Sequence, residues 1–236
     1  MTPPAIHRVT ELDLRLAPWQ WPFAEQRRAE IDAHFARKRE EKPKLWNGRI
    51  LMARDPAIRD NRLRADFFET DFASFLAWRD WGFPDREVFN GFGMGALRCI
   101  DGAFVLGEMA DHTANGGRIY FPAGTPDLAD IRGSSVDIAG SVVREVEEEA
   151  GLTPSEYRAA DHWDCVITGT LVAMMRILHV ALSGEALRAK IEANLASQAS
   201  PEFCAIHLVR DAGDIKPAMP HHVTVFLAAQ LASRHA

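Results

Sequence analysis

Three carboxylates, Glu145, Glu148 and Glu149, stand at i, i+3 and i+4 in the run Arg144-Glu-Val-Glu-Glu-Glu-Ala-Gly-Leu152. On a helix turning about 100° per residue, Glu149 lies near +40° and Glu148 near −60° of Glu145, roughly one narrow face. Glu147 points the other way. Ala139, Val142, Val143, Val146 and Ala150 form a neighbouring apolar arc suited to packing on a sheet, so the acidic face borders a buried one at a groove edge. Like charges at this spacing cost helix stability unless hard cations sit among them. Oxygen ligands on a partly hydrated octahedral ion describe Mg²⁺, with Mn²⁺ as the substitute.

Three glutamates in a row are ordinarily a solvated helix face. Here the flanking residues add more. Asp137 is placed to cap the helix by accepting from the Gly140 amide, Gly151 suits a left-handed C′ position, and Pro154 follows. These signals predict a helix over 138–150.

The whole pattern, Arg-Glu-apolar-x-Glu-Glu-x-Gly-apolar, resembles the second half of the Nudix box, the metal-binding signature of hydrolases that cut diphosphates linked to another moiety. The resemblance implies an α/β fold, an α/β/α sandwich with a mixed sheet, over residues 89–236, with residues 1–88 as an N-terminal α+β extension for substrate shaping or dimerisation. It also implies roles. Glu148 and Glu149 would be metal ligands, Glu145 a ligand or water-activating base, and Arg144 the residue that orients the glutamates. Many family members place a further Glu on a later loop as general base, and Glu202 in Ser200-Pro201-Glu202-Phe203 is the candidate here. Arg98, Arg118 and Arg176, on predicted strands or their ends, are candidates for phosphate contact, with Arg118 first because it leads into the loop before the box.

The first half of the box departs from the family pattern. Its Gly and Glu positions hold Asp130 and Val136. The apolar-Pro-Gly-Gly that normally precedes it resembles Phe121-Pro122-Ala123-Gly124, about six residues too far upstream, so an insertion around 125–135 is expected. Asp127 and Asp130 in that insertion are candidate replacements for the missing glutamate.

Composition sets the wider limits. At 236 residues, with 47% hydrophobic and 25% charged residues, the chain can bury a sizeable core. Its first sixteen residues lack a signal peptide's charged and apolar regions, and no apolar run approaches membrane-spanning length, so a cytoplasmic protein with no membrane partner is expected. Cys99, Cys165 and Cys204 are odd in number and show no C-x-x-C, reading as reduced core residues. Residues 1–88 carry 16 Lys+Arg against 15 Asp+Glu, a net of +1, whereas 89–236 carry 11 against 18, a net of −7. A half that negative repels a diphosphate unless cations bridge the two, and it argues against a nucleic-acid polymer as partner.

Patterning supplies the elements. Alternation predicts a strand over 7–16, then a charged helix over 23–41, a hairpin turn at Trp46-Asn47-Gly48, strands near 49–53 and 63–67, and a helix over 70–81. From residue 89 the expected order is strands at 91–99 and 103–108, a third at 118–121, the box helix, strands at 162–168 and 171–182, a helix at 184–196, a strand at 203–209 and a helix at 221–232. Gly91, Gly93 and Gly95 alternate on one strand and are not a dinucleotide fingerprint; they mark a close approach of backbone or ligand. Five of the six tryptophans precede residue 89 and read as core or interface packing. His112, His179, His207, His221 and His222 are scattered, without the i, i+4 pairing of a zinc site.

Three functional classes follow. The first is Mg²⁺-dependent cleavage of a nucleoside diphosphate linked to another group, such as a nucleotide sugar, dinucleotide or coenzyme A, by a monomer or homodimer. The second is a non-catalytic module that senses such a ligand, since the upstream glutamate is missing. The third is an interaction protein with an acidic helix.

Overall fold

The computed structural model describes residues 5–233. Strands β1 (Ala5–Val9) and β2 (Glu11–Leu16) precede helices α1 (Pro22–Gln26) and α2 (Arg28–Glu41), the hairpin β3 (Arg49–Arg59) and β4 (Arg62–Asp71), and helix α3 (Phe72–Asp80). Strands β5 (Val88–Cys99) and β6 (Phe104–Met109) follow, with four two-residue strands, β7 (Ile119–Tyr120), β8 (Ala123–Gly124), β9 (Ile131–Arg132) and β10 (Ser135–Val136), leading into α4 (Ile138–Ala150). The remainder is β11 (Tyr157–Ala159), β12 (Trp163–Thr168), β13 (Leu171–Val180), α5 (Gly184–Ser197), β14 (Phe203–Val209) and α6 (His221–Ala232). None of the described helices is long and apolar enough to cross a membrane.

One hydrogen-bonded path runs β1-β12-β13-β5-β3-β4-β2-β10-β9, with β6, β7, β8, β11 and β14 branching from it. The sheet is mixed: β13 runs parallel to β5, whereas β12 is antiparallel to β13. Strands from residues 1–88 and from residues 89–236 therefore share one ladder system, joined where Ala53 and Arg54 pair with Phe89 and Val88.

Neighbouring residues of β5 show how the layers form, because successive strand side chains point to opposite faces. Phe92 meets His222 of α6 edge-on, with ring centroids 5.7 Å apart. Gly93, one residue on, lies under α4: a Cβ there would come within 2.6 Å of the Ile138 and Val142 side chains. At Gly95 a Cβ would lie 2.5 Å from Val146. The glycines thus let the box helix sit down on the sheet, as their alternation implied. Helix α5 shares that layer, and Gln198, just past its end, donates its side-chain amide to the Glu148 carbonyl at 3.0 Å. Helices cover both faces of a mixed sheet, an α/β/α sandwich.

Several boundaries differ from those read off the sequence, for long-range reasons. The alternating run over 7–16 is two strands, broken at Thr10, whose amide donates to the Asn61 carbonyl. β1 pairs antiparallel with β12 and β2 parallel with β4. The helix over 23–41 breaks at Arg27 (φ −111°, ψ 20°), whose guanidinium sits 4.2 Å over the Trp81 ring. Trp46-Asn47-Gly48 is no hairpin turn. It connects α2 to β3, with Asn47 Oδ1 accepting from the Ala73 amide and Trp46 79% exposed, outside the aromatic core. The hairpin turn is Asp60-Asn61, both at positive φ (50° and 56°), conformations that Asp and Asn tolerate well. Cys99 and Cys165 are buried free thiols as expected, but Cys204 is exposed, because it faces outward from β14.

The main hydrophobic core extends across both halves of the chain, from Leu14 and Phe67 to Val142 and Phe226. A second, aromatic cluster around Trp21, Phe35, Phe68 and Trp78 lies within the first 88 residues. Seating of α4 predicts a steric test. Gly95→Ala should destabilise the protein by about 1–3 kcal/mol, the usual penalty for overpacking, as read by urea or thermal unfolding. An unchanged midpoint would mean the helix rides higher than described.

Candidate metal and catalytic site

Both ends of α4 form as the sequence dictates. Asp137 Oδ1 accepts from the Gly140 amide at 2.8 Å, and Gly151 closes the helix in the left-handed region (φ 67°). With the helix pressed onto Gly93 and Gly95, its acidic face meets the loop that follows β7. Glu149 is only 4% exposed, and its Oε2 accepts from the Ala123 amide at 3.0 Å. The Glu145 carboxylate lies against Gly124, where any Cβ would collide with it. Phe121-Pro122-Ala123-Gly124 therefore clasps the box helix in space although it is displaced in sequence.

The inserted segment explains how. Its backbone is tied to the sheet of residues 1–88, with the Leu51 amide donating to the Pro126 carbonyl and Ser135 pairing with Arg15. Asp127 caps a short 3-10 turn, accepting from the Ala129 amide. Asp130 is buried and binds Arg144 through both oxygens, at 2.7 and 3.1 Å, a charge-assisted fork that holds the loop to the helix. Asp130 raises the Arg144 pKa further above its already high ordinary value. Arg144 reaches Glu145 only as a longer ion pair of 3.6 Å, so its principal partner is Asp130 and not the glutamates. Val136, at the position of the missing glutamate, is buried in the core.

A cavity of about 500 Å³ opens beside this clasp, lined by Arg144, Glu145, Glu148 and Glu202 together with Tyr120 and Gly124. Burial pushes the Glu145 carboxyl up to about 7; Arg144 opposes the shift, while Glu148 and Glu202 add to it. Glu149 is pushed well above the carboxylate range by burial, then by Glu145 and Glu202. Glu202 moves the same way through desolvation and its neighbour Glu148. Three carboxylates therefore line one cleft, Glu149 lies buried beside them, and the four repel one another. Among the described residues no group of three or more His, Cys, Asp or Glu is already arranged to hold a metal ion. The donors are nonetheless all hard oxygens, suited to Mg²⁺ or Mn²⁺ and unsuited to a thiophilic metal.

The sequence-derived residues fall into two groups. Glu145, Glu148, Glu149, Glu202 and Arg144 come together, and Arg118 lines an adjoining cavity. Arg98 and Arg176 do not reach either. Arg98 lies 5.6 Å over the Phe104 ring, and Arg176 donates to the Ala160 carbonyl and stacks on Trp163. Arg98 shares the face of β5 that carries Asn90, Phe92 and Met94 but stands farther along the strand, and Arg176, opposite Gly95, is held by its Ala160 and Trp163 contacts. Sequence reasoning missed Tyr120 and Asn115, which are hydrogen-bonded to each other at 3.2 Å, and Arg79, whose Nη1 donates to Asn115 Oδ1. Nothing in their spacing marks them, because the contacts span loops and the N-terminal segment.

No protein-family model matches the chain, and no curated protein matches it. Among solved structures it is similar to a Nudix hydrolase from M. smegmatis, RenU, at 17% identity, covering 61% of this chain and 82% of that one, with a TM-score of 0.35. It is similar as well to the MutT protein from Methanosarcina mazei Go1, at 16% identity, 63% and 96% coverage, and a TM-score of 0.40. A chain of the complex between the C-terminal domain of mouse MUTYH and human PCNA aligns at 12% identity, 62% and 90% coverage, and a TM-score of 0.36.

The crowded carboxylates carry a stability consequence. Glu145 and Glu149 bind a proton more tightly in the folded protein than in the unfolded chain. Metal-free protein therefore loses stability as pH rises from the ordinary carboxylate range through about 7. Glu145→Gln and Glu149→Gln should each raise Tm in EDTA at about pH 8, with the gain shrinking toward about pH 4, where the wild-type groups are protonated. Thermal unfolding across pH checks this; a lower Tm for both variants at the higher pH would refute the repulsion.

Proposed function

We propose that this chain is a divalent-metal-dependent hydrolase of the Nudix type that cleaves a phosphoanhydride bond in a nucleoside diphosphate linked to another moiety, of the nucleotide sugar, dinucleotide or coenzyme A class. The observation that carries the reading is the convergence of Glu145, Glu148 and Glu202 on one cleft with Glu149 buried beside them, Glu145 and Glu149 being buried enough to resist ionisation. A cleft lined by mutually repelling carboxylates favours cations and, without them, rejects a diphosphate.

Glu145, Glu148 and Glu149 are the residues that would hold Mg²⁺ or Mn²⁺, which when bound supplies positive charge against the diphosphate oxygens and activates water. The protein's own part is positional. Asp130 fixes Arg144, and Arg144 fixes the turn of helix that carries Glu145. The Ala123 amide fixes Glu149. Glu202, on the separate loop before β14, is free of that clasp and is the group we assign to accept the proton of the attacking water, a role its raised pKa suits. Arg118 and Arg79, at the rim of the adjoining cavity, supply charge toward the phosphates.

Residues 1–88 shape the substrate cavity in this reading. Phe72, Phe75 and Arg79 of α3 and the following Phe83 line the space next to the carboxylates, a placement that supports substrate shaping over a dimer surface. The sensor reading draws on Val136, an apolar residue where the family's glutamate stands.

A panel of nucleotide sugars, dinucleotides and coenzyme A thioesters, followed by phosphate-product release with Mg²⁺ and with EDTA, separates the two readings. Turnover that needs Mg²⁺ and falls by about 10²-fold or more in Glu148→Gln is the expected result. Tight ligand binding with no product from the wild type on any substrate would leave the sensor.

A further inference from the structure

Residues 89–236 are rich in acid, with 11 Lys+Arg against 18 Asp+Glu, yet one patch of their sheet gathers cations. Arg98 on β5 stands beside His179 on β13, and His179 stands opposite Arg158 on β11. Partners in register present their side chains on the same face, so the three form a row across adjacent strands. At the usual strand spacing the two arginines start about 10 Å apart, with the histidine between them. Met94 is the last residue of β5 to line the cavity beside the carboxylate cleft. Arg98 lies about 13 Å of strand beyond it, so the row is a separate place.

No acid answers these three. Among the described residues, no Asp or Glu forms an ion pair or hydrogen bond with Arg98, His179 or Arg158. Elsewhere in the sheet a cross-strand cation meets a carboxylate, as Arg62 meets Glu11 at 2.7 Å and Arg8 meets Asp164 at 3.3 Å. The Arg98 guanidinium rests 5.6 Å over the Phe104 ring, a contact that leaves its N–H edges open to donate. Arg158 is exposed, and Arg98 and His179 are partly so. His162 is nearby, but its Nδ1 is already engaged by Asp161 at 2.9 Å. Burial lowers the His179 pKa, and Arg158, Arg98 and His162 lower it further. Like charges facing one another in register cost stability. A rule broken with no remedy inside the chain points to one supplied from outside. A single-charge anion would answer one arginine. Two arginines and a ring nitrogen on three strands call for several acceptor oxygens and two negative charges, which describes a phosphoryl group.

We propose that Arg98, His179 and Arg158 form a phosphate site, in which the two guanidiniums donate to the oxygens of a phosphoryl dianion and the His179 ring donates to it from between them. The ligand is inorganic phosphate or the terminal phosphoryl group of a small monoester. The site stands apart from the carboxylate cleft and does not depend on the hydrolase reading.

Metal-free conditions isolate the site, because in EDTA the carboxylate cleft repels phosphate. The full chain is titrated with inorganic phosphate at about pH 8, where the anion is doubly charged, with ionic strength held constant by chloride. Calorimetry reads the affinity, and NMR of the His179 ring protons reads its pKa in a parallel pH series. Phosphate should bind saturably and raise the His179 pKa, since it offsets the positive charges of Arg98, Arg158 and His162 around the ring. Arg98→Gln and Arg158→Gln should each weaken binding by about 10-fold or more, as expected for loss of a charge-assisted hydrogen bond. Arg158 is exposed, so its replacement leaves the core in place. Glycerol 3-phosphate separates the two sources: tighter binding than inorganic phosphate assigns a monoester, and weaker binding assigns the free anion. Absence of saturation, an unmoved His179 pKa, or unchanged affinity in both variants would overturn the site. Hydrolysis in Mg²⁺ and phosphate binding in EDTA are separate measurements, so either reading can fail while the other stands.

Discussion

The depth at which α4 sits on the sheet governs everything around it. Gly93 and Gly95 give the helix room to approach until Ile138, Val142 and Val146 touch the strand backbone. At that depth the acidic face is no longer in open water. Glu149 is drawn under the loop onto the Ala123 amide, Glu145 is pressed against Gly124, and Glu148 remains at the surface. A helix held a few ångströms higher by side chains at 93 and 95 would carry the same glutamates as an ordinary solvated stripe. Burial, and not the mere count of acids, makes them chemically unusual.

A second constraint follows from the first. Carboxylates crowded into a shielded cleft need a rigid frame, since relaxation would let them splay apart. The frame is the fork between buried Asp130 and half-buried Arg144, the Asp127-capped turn, and the backbone ties from the insertion to β2 and β3. Breaking a buried pair of this kind by removing one partner is costly, because the other charge is left unmatched. The segment before α4 thus supplies the brace that holds the carboxylates in place.

Much of this was legible in the residues, and the boundary of what was legible is physical. The helix over 138–150 announces itself through its caps and its apolar arc, and the strands and helices from 163 to 232 follow local periodicity, so all were readable. The carboxylate set was readable for the same reason, as one helix turn encodes it. What local pattern hides is pairing between distant segments. Nothing in the alternation of residues 7–16 shows that Thr10 divides two ladders, and a short Trp-Asn-Gly turn signal lost to Asp60-Asn61 because tertiary contacts hold Asn47 on α3. Asp130 stands out in the sequence only as a candidate stand-in for the missing glutamate, and its role as the buried partner of Arg144, fourteen positions on, is a tertiary contact that no local pattern encodes. Arg98 shares a face of β5 with Phe92 and Met94 but stands too far along the strand to line the cavity.

The insertion's anchorage has one more implication, for how such a chain can change. Because the loop before α4 takes its shape from β2 and β3, it is not an exchangeable module. A shorter loop from a protein lacking the preceding strands would have no edge to join, and the strands without the loop would leave an unpaired border. Loop and N-terminal sheet therefore form one structural unit, and neither can be exchanged without re-forming the edge it shares with the other.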